Sequence, residues 1–160
     1  MADVAVRRPR MNWAVVVAAA VVLAAGTAFG LLVFRSQQLP DGVVPVAWDR
    51  TVCAHCRMHV GEPGFAAQAQ LKDGQVLNFD DPGCLLQWMD KNQAPLHAAY
   101  VHHHKADRWL PLAQAGFVHV MPTPMGFGLG AVDANTSDAI TVEKARVRVR
   151  GDHTNHGDAP

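Results

Sequence analysis

The apolar residues of this chain follow several patterns in turn. The first is a continuous run, Trp13–Phe34: 22 residues without a charge, broken only by Gly26, Thr27 and Gly30. Wound as a helix it spans roughly 33 Å, about one hydrocarbon core. Beyond it the period shortens. Phe65, Ala67, Ala69 and Leu71 alternate with Ala66, Gln68 and Gln70, the pattern of a half-buried strand. Lys72-Asp73-Gly74-Gln75 is a hairpin turn and Val76–Phe79 the return strand. Asp81-Pro82 opens a helix, with Asp81 as N-cap and Pro82 at the first helical position. Cys84, Leu85, Trp88 and Met89 share one face of that helix, which ends near Lys91-Asn92. A weaker copy follows. Ala98–His103 reads as a strand, Lys105–Arg108 as a turn, and Trp109–Leu112 and Phe117–Val120 as returning strands. Met121–Gly130 holds two Pro and three Gly and predicts no regular element. In the tail, alternation of Arg146, Arg148 and Arg150 with Val predicts a strand over Ala145–Arg150, and Gly151–Pro160 has a disordered composition.

These elements predict an α+β protein: an N-terminal transmembrane helix, then a small body of two β-hairpin-based (ββα-type) units. Each unit's core is too small to be very stable alone. The expected boundaries are an N-terminal segment 1–12, an anchor 13–34, a tether 35–45 marked by Pro40, Gly42 and Pro45, a folded domain 46–135, and a partly disordered tail 136–160.

Charge sharpens the membrane reading. The formal net charge is zero, but residues 1–40 carry four Arg and one Asp while residues 41–160 carry ten bases and thirteen acids. That balance excludes a basic nucleic-acid binder and an acidic disordered chain. Arg7, Arg8 and Arg10 precede the apolar run and Arg35 alone follows closely, which predicts a single pass through the inner membrane, N-terminus in the cytoplasm and body in the periplasm. A cleaved signal peptide competes, but its apolar region is usually about 7–15 residues with a clear small-x-small site, and this run is longer. No Cys follows the run directly, which argues against a lipoprotein.

The candidate chemistry lies in sulfur. Cys53, Cys56 and Cys84 all fall on the exported side, where a bacterial periplasm oxidises thiols, and an odd number leaves at least one free or ligating. Cys53-Ala54-His55-Cys56-Arg57-Met58 is a C-x-x-C-x-M run. Two thiolates three apart reach one metal or each other, and thioether beside thiolate selects Cu(I), since zinc sites use Cys, His and carboxylate. Arg57 stands where a c-type haem site needs His. A thioredoxin-like pair should open a helix, yet Gly61, Pro63 and Gly64 follow. A structural Cys53–Cys56 disulfide and a core-filling Met58 stay open as plain readings. In Pro122–Gly128 the prolines and glycines hold Met125 at a loop tip, although core packing accounts for it equally well, and Met121 is its natural decoy. His102 and His104 share a strand face and suit copper or zinc, or belong to a solvated run. His55, His59 and His119 are equally ambiguous. Cys84 sits in the first helical turn, where the dipole would lower its pKa and make it a ligand; a small buried Cys beside Leu85 is the plain alternative. Asp80 and Asp81 point apart, and no Ser-His-Asp set, phosphate loop or dinucleotide fingerprint is present, so no enzyme is expected.

Taken in order, Cys53-x-x-Cys56-x-Met58, Gly74 through Phe79-Asp80-Asp81, Cys84, Trp88, Val101-His102, Trp109, Ala115-Gly116-Phe117-Val118 and Thr123-Pro124-Met125-Gly126 resemble the NosL family, the accessory proteins of nitrous oxide reductase. The match runs from about Val46 to Ala131. The resemblance implies a periplasmic Cu(I)-binding metallochaperone that helps deliver copper to nitrous oxide reductase, with a membrane transporter complex as partner. It implies two related ββα-type units. Residue by residue, Cys56 and Met58 match the family's C-x-M ligands and Met125 the Met of its Pro-Met-Gly loop, and Cys53 fits the first Cys without a matched role; apart from the resemblance, the imidazole of His102 or His104 is the expected further ligand. Three features depart from the family: an anchor in place of a lipid, Val101-His102-His103 in place of Val-His-Asp, and a shortened or replaced C-terminal region over Asp133–Pro160. The competing functions are a membrane-tethered thiol-disulfide protein using Cys53 and Cys56, and a zinc-binding module with no transfer role.

Overall fold

The structure is a computed structural model and describes residues 12–36 and 39–156. The rest of the expected N-terminal segment and the end of the expected disordered tail lie outside the described residues. The chain divides into two compact units, Met1–Gln38 and Leu39–Pro160.

The first unit holds α1, Trp13–Ser36. Of its length, Trp13–Val33 is long and apolar enough to cross a membrane, and none of it is buried within the protein. A signal sequence near the N-terminus meets the same description.

In the second unit β1 (Ala67–Leu71), β2 (Val76–Phe79), β3 (Leu96–His102) and β4 (Trp109–Pro111) form an antiparallel sheet in the order β2-β1-β3-β4. The turn between β1 and β2 places Gly74 at φ +90°, a conformation that suits glycine. β5 (Ala115–His119) and β6 (Leu129–Asp133) make a two-stranded antiparallel sheet. Bridges from His103 to Ala131 and from Phe117 to Ile140 tie it to its surroundings. The helices are α2 (Pro82–Asn92) and α3 (Val142–His156).

The α+β class is as expected, and the hairpins join through one sheet and one core. β1 pairs directly with β3, with Ala67 opposite Val101 and Ala69 opposite Ala99. Phe79, Leu85 and Leu86 then pack in one core with Val101, Leu110, Phe117 and Leu129. Sharing a core removes the weakness of two small ones, since each large side chain so buried contributes roughly 1.5–3 kcal/mol.

The expected half-buried strand is buried on both faces. Gln68 and Gln70, on its polar side, are fully buried. The segment expected to be a free tether covers them. Val44 N–H donates to Gln68 Oε1 (2.9 Å), Gln68 Nε2 to Val44 O (2.8 Å), and Gln70 Nε2 to Gly42 O (2.7 Å). The alternation is real, but a chain segment rather than water meets Gln68 and the Gln70 amide NH2, while Gln70 Oε1 is buried without a partner.

The expected last strand is helical. Alternating Arg and Val look like a strand, yet in α3 it is Ala145 and Val149, four apart, that are buried, with Val142 partly so, while Val147 is 66% exposed. Arg146 and Arg150, also four apart, both donate to the Asp90 carboxylate on α2. Tertiary partners at helical spacing overrule the β preference of valine. β6 starts inside the stretch Met121–Gly130, where glycines concealed it.

Candidate metal centre

Cys53–Met58 is a tight loop closed at its base. Val52 bridges His59, Cys53 N–H donates to Met58 O (2.8 Å), and Val60 N–H to Thr51 O (2.9 Å). Arg57 takes the left-handed conformation, φ +69°, that the turn after Cys56 requires. Ala54 N–H donates to Asn78 O (2.9 Å), pinning the loop to β2. The chain then passes from β2 through Asp80-Asp81 into α2, and Cys84 arrives in the first helical turn, opposite the loop.

The result is a cluster of three cysteines. All are free thiols, and their sulfur atoms lie within 4.8 Å of one another. Metal–thiolate bonds of about 2.3 Å put two sulfurs of one coordination shell ~4 Å apart, so small movements close this trio around an ion. Among the described residues it is the one group of three or more Cys, His, Asp or Glu converging this closely. Exposure is graded across it. Cys53 and Cys84 are fully buried, Cys56 is half-buried, and Met58 is 46% exposed.

Protonation is graded too. The Cys84 thiol donates to Cys53, and the N–H groups of Asp80, Cys56 and His55 converge on the same sulfur, lowering the Cys53 pKa to about 4 against its burial. The Cys84 thiol is correspondingly raised, first by sharing its proton with the Cys53 thiolate and then by burial. The expected lowering of Cys84 by the helix dipole is therefore overturned, because a buried thiolate in direct contact outweighs a half-charge at a helix end. Burial raises Cys56, while the Met58 N–H on its sulfur acts the other way. Of the three sulfurs, Cys53 is therefore the one whose surroundings favour the thiolate, while those of Cys84 and Cys56 favour the thiol.

Met125 reaches this region from the opposite side of the chain. Asp81 caps α2 with Oδ1, which accepts from Gly83 N–H (2.8 Å), while Oδ2 accepts from Met125 N–H (3.3 Å). The Asp81 main-chain oxygen accepts from Cys84 N–H (3.0 Å). Met125 and Cys84 therefore both bond to one residue, and Met125 packs partly buried against the core that contains Cys53 and Cys84. The decoy Met121 is 58% exposed and precedes a cis bond to Pro122.

His102 stands apart from the sulfurs. It is buried edge-on to Trp109, with ring centroids 5.2 Å apart, and its ring nitrogens face His103 O (3.1 Å) and the Asp107 carboxylate (3.2 Å). Moving it to the cluster would break both contacts. His104 stacks on His103 and its Nδ1 faces Ala131 O (3.0 Å). The residue that sequence reasoning left outside the ligand set is Cys84. Its place in a first helical turn was visible; that this turn faces the Cys53 loop depends on the β2–α2 connection.

No family model matches the sequence, and no curated relative matches it. Among solved structures the chain is similar to the copper chaperone NosL from Shewanella denitrificans, with a TM-score of 0.50 and 19% identity, covering 70% of this chain and 89% of that one. At that identity the likeness establishes a NosL-like fold.

Proposed function

We propose that this protein is a membrane-anchored periplasmic metallochaperone that carries Cu(I) and assists copper delivery to nitrous oxide reductase. The observation that carries the reading is the convergence of three cysteine sulfurs within 4.8 Å, in a fold shared with a copper chaperone. Cys56, Met58 and Met125 are the exchange ligands, backed by Cys53. Thiolate with thioether is a donor set that suits Cu(I) over harder ions. Residues 13–34 form the anchor and residues 46–135 the copper-binding domain, with residues 35–45 between them.

Transfer proceeds by ligand exchange. Two or three soft ligands leave a coordination position open, and an acceptor thiol or thioether enters it before the donor ligands leave. The half-exposed Cys56 and exposed Met58 suit the rim of such a site, and the buried Cys53 and Cys84 its floor. On binding, the Cys56 thiol gives up its proton to solvent and the sulfur takes the ion, and the proton returns when the ion leaves; no electron moves, so the role is that of a carrier and not an enzyme.

The test is an anaerobic competition titration of the full chain in detergent against a Cu(I) chelator. Cys56→Ser and Met125→Leu should each weaken Cu(I) binding by at least the ~10–100-fold typical of losing an outer-shell partner. Zn(II) held in preference to Cu(I) would instead favour a zinc module. Reversible Cys53–Cys56 disulfide exchange with Met58 dispensable would favour a thiol-disulfide protein. The receiving enzyme is tested by the copper content of nitrous oxide reductase in cells lacking the chain, which should fall.

A further inference from the structure

The two ligand loops meet at the step between β2 and α2. Asp80 and Asp81 are consecutive and point to opposite sides. Asp80 turns to the cysteine loop: its N–H bonds the Cys53 sulfur and its Oδ1 accepts from Gly61 N–H (3.2 Å). Asp81 turns to the Pro122–Gly128 loop. A helix cap alone would use one of its oxygens. The other takes the Met125 N–H, and the Thr123 hydroxyl donates to the same carboxylate. Thr123 Oγ1 in turn accepts from Gly128 N–H (3.2 Å), and Thr123 O from Gly126 N–H (3.0 Å), so one carboxylate organises the whole loop. Asp81 is fully buried, which is costly for a carboxyl unless its oxygens are bonded in this way. Gly83 completes the seat: a Cβ there would lie 2.2 Å from the Phe127 ring, so the loop rests directly on the helix N-terminus.

We propose that Asp81 is the positioning residue of the copper site: its carboxylate clips the Met125 loop to the N-terminus of α2 and so presents the Met125 thioether to the thiolates. The proposal rests on the carrier reading above and says which residue assembles its far half. Its chemistry predicts a particular response to Asp81→Asn. The remaining amide oxygen still caps Gly83, while the amide NH2 meets the Met125 N–H donor to donor and releases the loop.

The experiment uses the full chain in detergent and measures Cu(I) affinity by competition and sulfur coordination by X-ray absorption. Asp81→Asn should weaken Cu(I) by ~10–100-fold, as loss of a second-sphere support does, and remove one sulfur from the shell. Adding Met125→Leu should then cost nothing further, because the thioether is already gone. Thr123→Val repeats the test without touching the helix cap or the charge, and covers the case in which Asp81→Asn unfolds. Full additivity of Asp81→Asn or Thr123→Val with Met125→Leu would show a general stability effect and overturn the proposal. So would wild-type affinity in both Asp81→Asn and Thr123→Val while Met125→Leu binds weakly. If the unmodified chain fails to bind Cu(I), or Met125→Leu leaves affinity unchanged, the carrier reading itself falls and takes this one with it.

Discussion

Three cysteines with the same side chain have three different environments, and the differences come from what donates to each sulfur. Cys53 collects three backbone N–H groups and the Cys84 thiol, so its pKa is the one lowered although it is as fully buried as Cys84. Replacing the thiol donor removes the largest lowering contribution. Cys84→Ala should therefore raise the Cys53 pKa from about 4 towards the ordinary thiol range, read as a shift of the thiolate absorbance near the ultraviolet edge in a Cys56→Ser background. A titration unmoved by Cys84→Ala would mean the backbone donors alone hold the charge. Cys56, the half-buried member of the trio, should be the first of the three to alkylate at neutral pH, although burial raises its pKa, because the other two are fully buried. At this scale much was legible. C-x-x-C-x-M names a soft donor set without any structure, because the residues are adjacent. The partnership of Cys53 with Cys84 was not legible, because thirty residues of chain must fold before the two sulfurs meet.

Among the elements, α2 organises the rest. Its N-terminus carries Cys84 and receives the Met125 loop; its C-terminal half receives α3. That second contact is an ion pair of Asp90 with Arg150 and Arg146. Arg150 first, then Arg146, hold the Asp90 carboxyl below its ordinary value of 3.8. A depressed carboxylate stabilises the fold above its unfolded pKa and loses that contribution as pH falls through the lower folded value. Asp90→Asn should accordingly lower Tm by a few degrees at pH 7, and the gap to the unmodified protein should narrow as pH falls below about 4. A gap constant with pH would assign the effect to packing. The amphipathic face of α3 escaped sequence reading for a stated reason: Arg-Val alternation satisfies both periods, and only Asp90, fifty-six residues before Arg146, selects the helical one. The α2 cap and the β1–β2 hairpin were legible because their signals, Asp81-Pro82 and Asp73-Gly74, act within a turn.

At the scale of the whole molecule, the division at Gln38 separates two tasks, and the last prediction concerns what the first unit contributes to the second. Every sulfur in the proposed site, and each bond that positions it, lies within residues 39–160. Residues 13–33 contribute a helix fit to cross a membrane and none of these bonds. An anchor of that kind acts by effective concentration: it confines a carrier to the surface where its donor and acceptor sit, without changing any contact. Its loss should therefore separate affinity from delivery. A chain lacking residues 1–38, exported by a cleavable signal, should bind Cu(I) within about twofold of the full chain, because RT ln 2 is well under 1 kcal/mol and no ligand has moved. In cells it should supply copper to the receiving enzyme poorly at native abundance and recover when overexpressed, since raising bulk concentration replaces confinement. Weakened Cu(I) binding in the shortened chain would place the N-terminal unit inside the site. Undiminished delivery at native abundance would mean that the apolar helix serves export alone.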